Sequence, residues 1–139
     1  GEQMSIERDI LSVLAQRERY LRYSTRVLSR GAALTRETAQ IIKDMREYYS
    51  KYEHPVVDWG EFSQWFLLVL HPMYKEETVE LYQMVFTAMG VHEPTALEED
   101  IIHSLFEQSV AEEIAVISGK IAEGNDRHGL DEVKELMDS

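Results

Sequence analysis

Histidines and carboxylates carry most of the chemistry available to this chain. Its 139 residues include no cysteine, which excludes thiolate nucleophiles and thiolate metal sites. None of the five histidines, at positions 54, 71, 92, 103 and 128, lies four residues from another. The sequence contains no His-Glu-x-x-His or Glu-x-x-His ligand pattern, so a metal site built on one helix is not predicted.

Two groups of acidic residues could bind cations, one at 98–100 and one at Glu112 and Glu113. Because the helix dipole already favours carboxylates in a first helical turn, we predict that these groups are solvated. Residues 118–121 resemble the end of a phosphate-binding loop, but Ile114 and Ile121 occupy positions that require glycine and Ser or Thr. The sequence therefore predicts no catalytic, cofactor-binding or metal-binding residue, and we expect that the chain is not an enzyme.

Arginines form a candidate electrostatic surface on the predicted second helix. Between positions 17 and 36 there are six arginines and a single acidic residue, Glu18. Spacings of three and four residues place four of them on one side of the helix. We interpret this side as a surface for a partner protein, with nucleic acid as the less favoured alternative because no stacking aromatic residues flank it. The arginine stripe comprises Arg19, Arg22, Arg26 and Arg30.

Charge divides the chain into two halves. Residues 1–90 hold 13 acidic and 11 basic side chains, whereas residues 91–139 hold 13 acidic and 3 basic ones, and the whole chain has a net charge of −12. A chain with this balance should be repelled by phosphate backbones. No apolar run approaches the roughly 20 residues of a membrane helix, and no secretory leader is evident, so we expect a cytoplasmic protein.

Apolar residues recur at helical spacing throughout, and the three prolines and most of the seven glycines fall between these segments, which predicts an all-α fold. Ser5 is the candidate N-cap of a first helix, with Glu7 near its N-terminus for the dipole. A second helix should span residues 17–28. Residues expected to face the core in these two helices are Ile6, Ile10, Val13, Leu14, Tyr20, Tyr23 and Val27.

Three more helices should complete a bundle over residues 1–91. Thr35 should cap the third, which ends near Lys51 or Tyr52, and Asp58 with Glu61 forms a capping box for the fourth. A fifth helix over 75–89 is apolar around much of its circumference, so we expect it to be central, with Gly90 as its stop. The core faces of the third and fourth helices should carry Ile41, Ile42, Met45, Tyr48, Tyr49, Tyr52, Phe62, Trp65, Phe66 and Val69.

The segment 92–139 predicts a protruding helical hairpin. Thr95 and Glu98 form a capping box, and no proline follows before the turn at Gly124, so the first arm could span residues 96–123. Its apolar stripe requires a partner helix along its length, and we expect this stripe to be an interface between copies. The stripe consists of Ile102, Phe106, Val110, Ile114, Ile117 and Ile121.

The order of these segments resembles the N-terminal domain of DnaB-type replicative DNA helicases, especially phage-encoded members. The matching segments are IERDILSVL at 6–14, IIKDMREYYSKY at 41–52 and PVVD at 55–58, together with IAEG at 121–124 and LDEV at 130–133. The resemblance covers nearly the whole chain. It rests on apolar pattern and element order, and the acidic hairpin departs from the family.

The resemblance implies a non-catalytic collar domain through which six subunits associate and on which primase or a helicase loader docks. ATP and Mg²⁺ would belong to a separate motor domain, and DNA would be bound only by the full-length helicase. Two alternatives stay open. The C-terminal helicase-binding domain of a primase has a similar fold, and a free-standing acidic helical adaptor or inhibitor would have the same composition.

Overall fold

The computed structural model describes residues 2–30 and 33–105, with side chains from residue 5 onward. Five helices are labelled here: α1 (Glu2–Leu14), α2 (Arg17–Ser29), α3 (Arg36–Lys51), α4 (Trp59–Gln64) and α5 (Glu76–Val91). A π-helical segment, Trp65–Leu70, continues α4, and residues 97–105 are helical. Across the described residues, β pairing is limited to one bridge between Gln16 and Val56. The predicted all-α helical bundle is confirmed.

The chain divides into two compact units, Gly1–Glu99 and Asp100–Ser139. The first unit contains α1 to α5 and also residues 92–99, which the sequence interpretation had grouped with the hairpin. The predicted hairpin arm beyond residue 105, its turn and its second helix lie outside the described residues. No helix among residues 2–30 and 33–105 combines the length and apolarity needed to cross a membrane.

Local capping signals set the starts of α3 and α4 as predicted. The Thr35 hydroxyl accepts the Thr38 backbone N–H at 3.3 Å, and the Asp58 carboxylate accepts the Glu61 N–H at 3.1 Å. These bonds satisfy backbone donors that have no partner within the helix. Helix α3 ends at Lys51 and α2 spans Arg17–Ser29, close to the predicted bounds.

Aromatic side chains make up much of the core around α3 and α4. Tyr48 is fully buried, with ring centroids 5.2 Å from Phe62 and 5.6 Å from Trp65. Two other phenols donate to backbone oxygens inside the core, Tyr20 to Ile42 at 2.6 Å and Tyr49 to Leu14 at 2.7 Å. These bonds remove the cost of burying the hydroxyl groups and tie α1, α2 and α3 together.

The start of α1 corrects the first predicted helix. Ser5 lies inside α1 and not at its N-cap, because the helix already begins at Glu2. Glu7 faces inward and accepts hydrogen bonds from the Thr35 N–H and hydroxyl at 2.8 and 2.9 Å. The core face therefore follows positions 7, 10, 11 and 14, which leaves Ile6 exposed.

The π-helical segment corrects the predicted face of the fourth helix. Trp65 and Phe66 are buried as expected, but Val69 is exposed. The His71 N–H bonds to the Phe66 carbonyl at 2.9 Å, a spacing of five residues. The wider turn rotates the following side chains relative to an α-helix, so Val69 leaves the core face.

Helix α5 lies at an edge of the bundle and is not central. It packs on α4 and α1 through the buried side chains of Tyr82, Phe86 and Met89. Leu81 and Met84 are exposed on its other side. Gly90 lies within the helix, which continues to Val91, so the prediction of Gly90 as the stop is wrong.

Candidate functional site

A histidine and two carboxylates from three separate elements converge at one end of α5. Asp9 lies in α1, His92 follows the last residue of α5, and Glu98 lies in the first turn of the helix at 97–105. One ligand atom from each of the three lies within 4.8 Å of the others. We call this group the His92 cluster.

The hydrogen bonds of the His92 cluster orient Glu98. One carboxylate oxygen contacts His92 Nε2, and the other accepts the Ser12 hydroxyl at 2.7 Å. The same His92 nitrogen lies 4.0 Å from Asp9 Oδ1. Glu98 is only 3% exposed, while Asp9 and His92 are half-buried. The cluster thus has a buried floor at Glu98 and access to solvent on the side of Asp9 and His92.

Electrostatics within the cluster favour a positive charge. Burial, and then the nearby negative charge of Glu98, raise the pKa of the Asp9 carboxyl above 3.8, while His92 and Arg8 oppose this shift. Two carboxylates in one partly desolvated place repel each other unless a proton or cation lies between them. A cation between Asp9 and Glu98 would lower the energy of both carboxylates.

Sequence reasoning missed the His92 cluster and mispredicted Glu98. The prediction that residues 98–100 form a solvated group is wrong for Glu98, because its carboxylate turns into the bundle towards Ser12 and His92. Asp9 and His92 are 83 positions apart, so no local ligand spacing exists to find. The two residues meet only because α1 packs against α5, and this contact has no signal in the local sequence.

The arginine stripe is partly engaged within the chain. Arg19 forms an ion pair with Glu99 at 2.9 Å, and Arg22 lies 3.4 Å from both Glu99 and Glu18. The Tyr23 hydroxyl also donates to Glu99, at 3.2 Å. Glu99 is therefore not simply solvated, and two of the four arginines of the stripe form ion pairs with acidic residues of the same chain. Arg26 and Arg30 have interactions of their own.

Most of the predicted interface stripe falls outside the described residues. Ile102 is described and is buried. The other five members, and the segments Glu112–Glu113 and 118–121, lie beyond residue 105. The interface between copies stays a prediction. The five are Phe106, Val110, Ile114, Ile117 and Ile121.

An exposed apolar stripe runs along α5. Leu81, Met84, Ala88 and Val91 recur at spacings of three, four and three, which places them on one side of the helix. Leu81 is 49%, Met84 66% and Val91 79% exposed. Exposed apolar side chains concentrated on one face are typical of protein interaction sites. We call this face the α5 stripe.

Comparisons with protein-family models, with curated proteins and with solved structures find no match to this chain. Its function must therefore be argued from its own residues and geometry.

Proposed function

We propose that this chain is the non-catalytic N-terminal domain of a DnaB-type replicative helicase. In this role it associates with other copies in a collar and docks primase or a helicase loader. The sequence resemblance and the all-α bundle support this proposal. ATP and Mg²⁺ would be bound by a motor domain, so DNA unwinding would belong to the full-length helicase.

The observation that carries the proposal is the α5 stripe. The buried face of α5 already satisfies its packing through Tyr82, Phe86 and Met89. Leu81, Met84 and Val91 lie on the other side and keep 49%, 66% and 79% of their surface exposed. Burying apolar area contributes about 25 cal/mol per Å², so covering this face by a partner would contribute directly to binding.

The charge around the α5 stripe supports a basic partner. Glu77 and Glu80 lie on the same part of the helix surface and are exposed. A partner helix with apolar residues in its centre and lysine or arginine at its margins would match both the stripe and these carboxylates. We therefore assign this face to a basic amphipathic helix of primase or loader.

Several polar groups of the core connect helices to one another. The phenols of Tyr20 and Tyr49 donate to backbone oxygens, and the buried Glu7 carboxylate anchors Thr35 at the start of α3. Each of these groups is used to join helices.

A binding experiment with matched variants tests the α5 stripe. Leu81→Asp with Met84→Asp should weaken binding of purified primase or loader about tenfold or more, because charge is placed on the apolar face. Leu21→Asp is the control, since Leu21 is also highly exposed but lies on α2. Affinity is measured by biolayer interferometry, with circular dichroism to confirm folding.

The outcomes separate the proposal from its alternatives. Equal affinity of the two variants would refute the α5 stripe as the docking face. Binding to an intact hexameric helicase in place of primase would identify the chain as a primase C-terminal domain. A monomer that binds neither protein would indicate an adaptor of another system. Self-association through the predicted hairpin is tested by light scattering, where Ile114→Asp with Ile117→Asp should lower the mass.

A further inference from the structure

We propose that Asp9, His92 and Glu98 bind one divalent transition-metal ion of the Zn²⁺ class. The site is independent of the docking function proposed above. It would link α1, the end of α5 and Glu98 through a single ion.

The spacing of the ligand atoms suits such an ion. Metal bonds of about 2.0–2.1 Å in a tetrahedral arrangement place neighbouring ligand atoms about 3.3 Å apart. The 4.0 Å between Asp9 Oδ1 and His92 Nε2 lies near this value. Glu98 and His92 now contact each other through a hydrogen bond, and an ion between them would take the place of this bond.

The charge of the site also calls for a cation. Asp9 and Glu98 bring two negative charges, whereas a protonated His92 would supply one positive charge. The positive charge of Arg8 acts on Asp9, whereas the guanidinium groups of Arg19 and Arg22 are directed to Glu99, the next residue along the chain. A divalent ion with a neutral imidazole would balance both carboxylates, one of which is buried.

The ligand types identify the class of metal. An imidazole nitrogen favours Zn²⁺ and similar transition ions, whereas Mg²⁺ and Ca²⁺ prefer sites made only of oxygen ligands. Three protein ligands leave a fourth position for water. Ser12 would act outside the ligand shell by holding the second oxygen of Glu98 at 2.7 Å, which fixes the direction of the first.

Zinc titration of the full chain tests the site. Isothermal calorimetry should give one saturable Zn²⁺ per chain, with weaker Mn²⁺ binding and no Mg²⁺ binding at the same concentrations. Glu98→Gln retains a side chain that can bond to Ser12 but loses the charged ligand. This variant and His92→Gln should each bind Zn²⁺ at least about tenfold more weakly, since even outer-shell substitutions cost this much.

A matched histidine provides the control. His71 also contacts a carboxylate, Asp44, through Nε2, so His71→Gln removes a comparable pair from another part of the bundle and should leave Zn²⁺ affinity unchanged. Equal weakening by His71→Gln and His92→Gln would overturn the assignment. So would failure of the folded wild-type chain to bind Zn²⁺ saturably.

A measurement on the wild-type chain covers the case in which a variant fails to fold. Stoichiometric Zn²⁺ should shift the ring-nitrogen resonances of one histidine among the five in long-range ¹H–¹⁵N spectra. Shifts spread over several histidines, or none, would contradict a single site. Asp9→Asn, at the solvent side of the cluster, should abolish the single-histidine shift.

Discussion

Two histidines follow helical segments in this bundle, and each contacts carboxylate oxygen, but their surroundings differ. His71 follows the π-helical segment and lies 2.8 Å from one oxygen of Asp44, which also accepts the Gln40 amide at 2.8 Å. Its ring stacks on Tyr74 at 4.4 Å. His92 follows α5 and faces the two carboxylates of Asp9 and Glu98.

The difference separates a structural contact from a candidate ligand site. At His71 a single carboxylate has two polar partners, and aromatic rings cover the imidazole, so the group is complete within the fold. At His92 the Glu98 carboxylate also has two polar partners, Ser12 and His92, but a second carboxylate, that of Asp9, lies 4.0 Å from the same imidazole nitrogen. Excess negative charge, more than the presence of a histidine, therefore distinguishes the site that would take a cation.

The largest expected effect is the loss of stability on removing Phe66, an aromatic ring that packs against His71. Phe66 is fully buried and lies 4.5 Å from His71 and 4.8 Å from Tyr82. Phe66→Ala should reduce the free energy of unfolding by about 3–5 kcal/mol, because it leaves a cavity among these rings. Urea denaturation followed by circular dichroism measures the change.

Exposed Leu21→Ala is the control and should change stability by less than about 0.5 kcal/mol. A loss below about 1 kcal/mol for Phe66→Ala would contradict the packing described.

A smaller effect concerns Tyr82, whose ring stacks on Tyr74, the residue that also stacks on His71. Burial, together with a hydrogen bond to Tyr74, raises the pKa of Tyr82 above its usual value of 10.0. Because the folded-state pKa is the higher one, the stability linked to Tyr82 is complete below pH 10 and is lost as pH rises above it. Tyr82→Phe removes this loss.

The measurement is urea denaturation at several pH values from 9 upward. Wild type should lose up to about 1.4 kcal/mol per pH unit more than Tyr82→Phe once the unfolded phenol is ionised. The phenolate absorbance that wild type shows in excess of Tyr82→Phe should appear together with unfolding. Identical alkaline curves for the two proteins would show that Tyr82 ionises freely in the fold.

Features determined by neighbouring residues were predictable from sequence. Thr35 and Asp58 cap helices through bonds that span three residues, and the buried face of α3 follows helical periodicity alone. Val69 was mispredicted because one five-residue hydrogen bond at His71 rotates the end of the helix. The spacing of apolar residues in the sequence does not reveal this rotation.

The position of α5 and the His92 cluster were not predictable for a different reason. A helix that is apolar all round predicts burial, yet Met84 is exposed because neighbours cover α5 on one side. Glu98 has the signature of a first-turn carboxylate, and only the packing of α1 shows that Ser12 and Asp9 lie beside it. Both depend on contacts between residues far apart in sequence.

The smallest expected effect compares the two carboxylate environments directly, with no metal added. Asp44→Asn should lower the free energy of unfolding by about 1–2 kcal/mol, because it weakens charge-assisted bonds from Gln40 and His71. Asp9→Asn should instead leave stability unchanged or raise it by less than about 1 kcal/mol, because it removes repulsion with Glu98. Chelator-treated proteins are compared by thermal unfolding.

With Zn²⁺ added, wild type should become more stable than Asp9→Asn. The wild-type chain gains about 2.7 kcal/mol when the ion is at 100 times its Kd, and Asp9→Asn gains less. Equal destabilisation by the two substitutions without metal would mean that both carboxylates are balanced within the fold, and the distinction between His71 and His92 would fail.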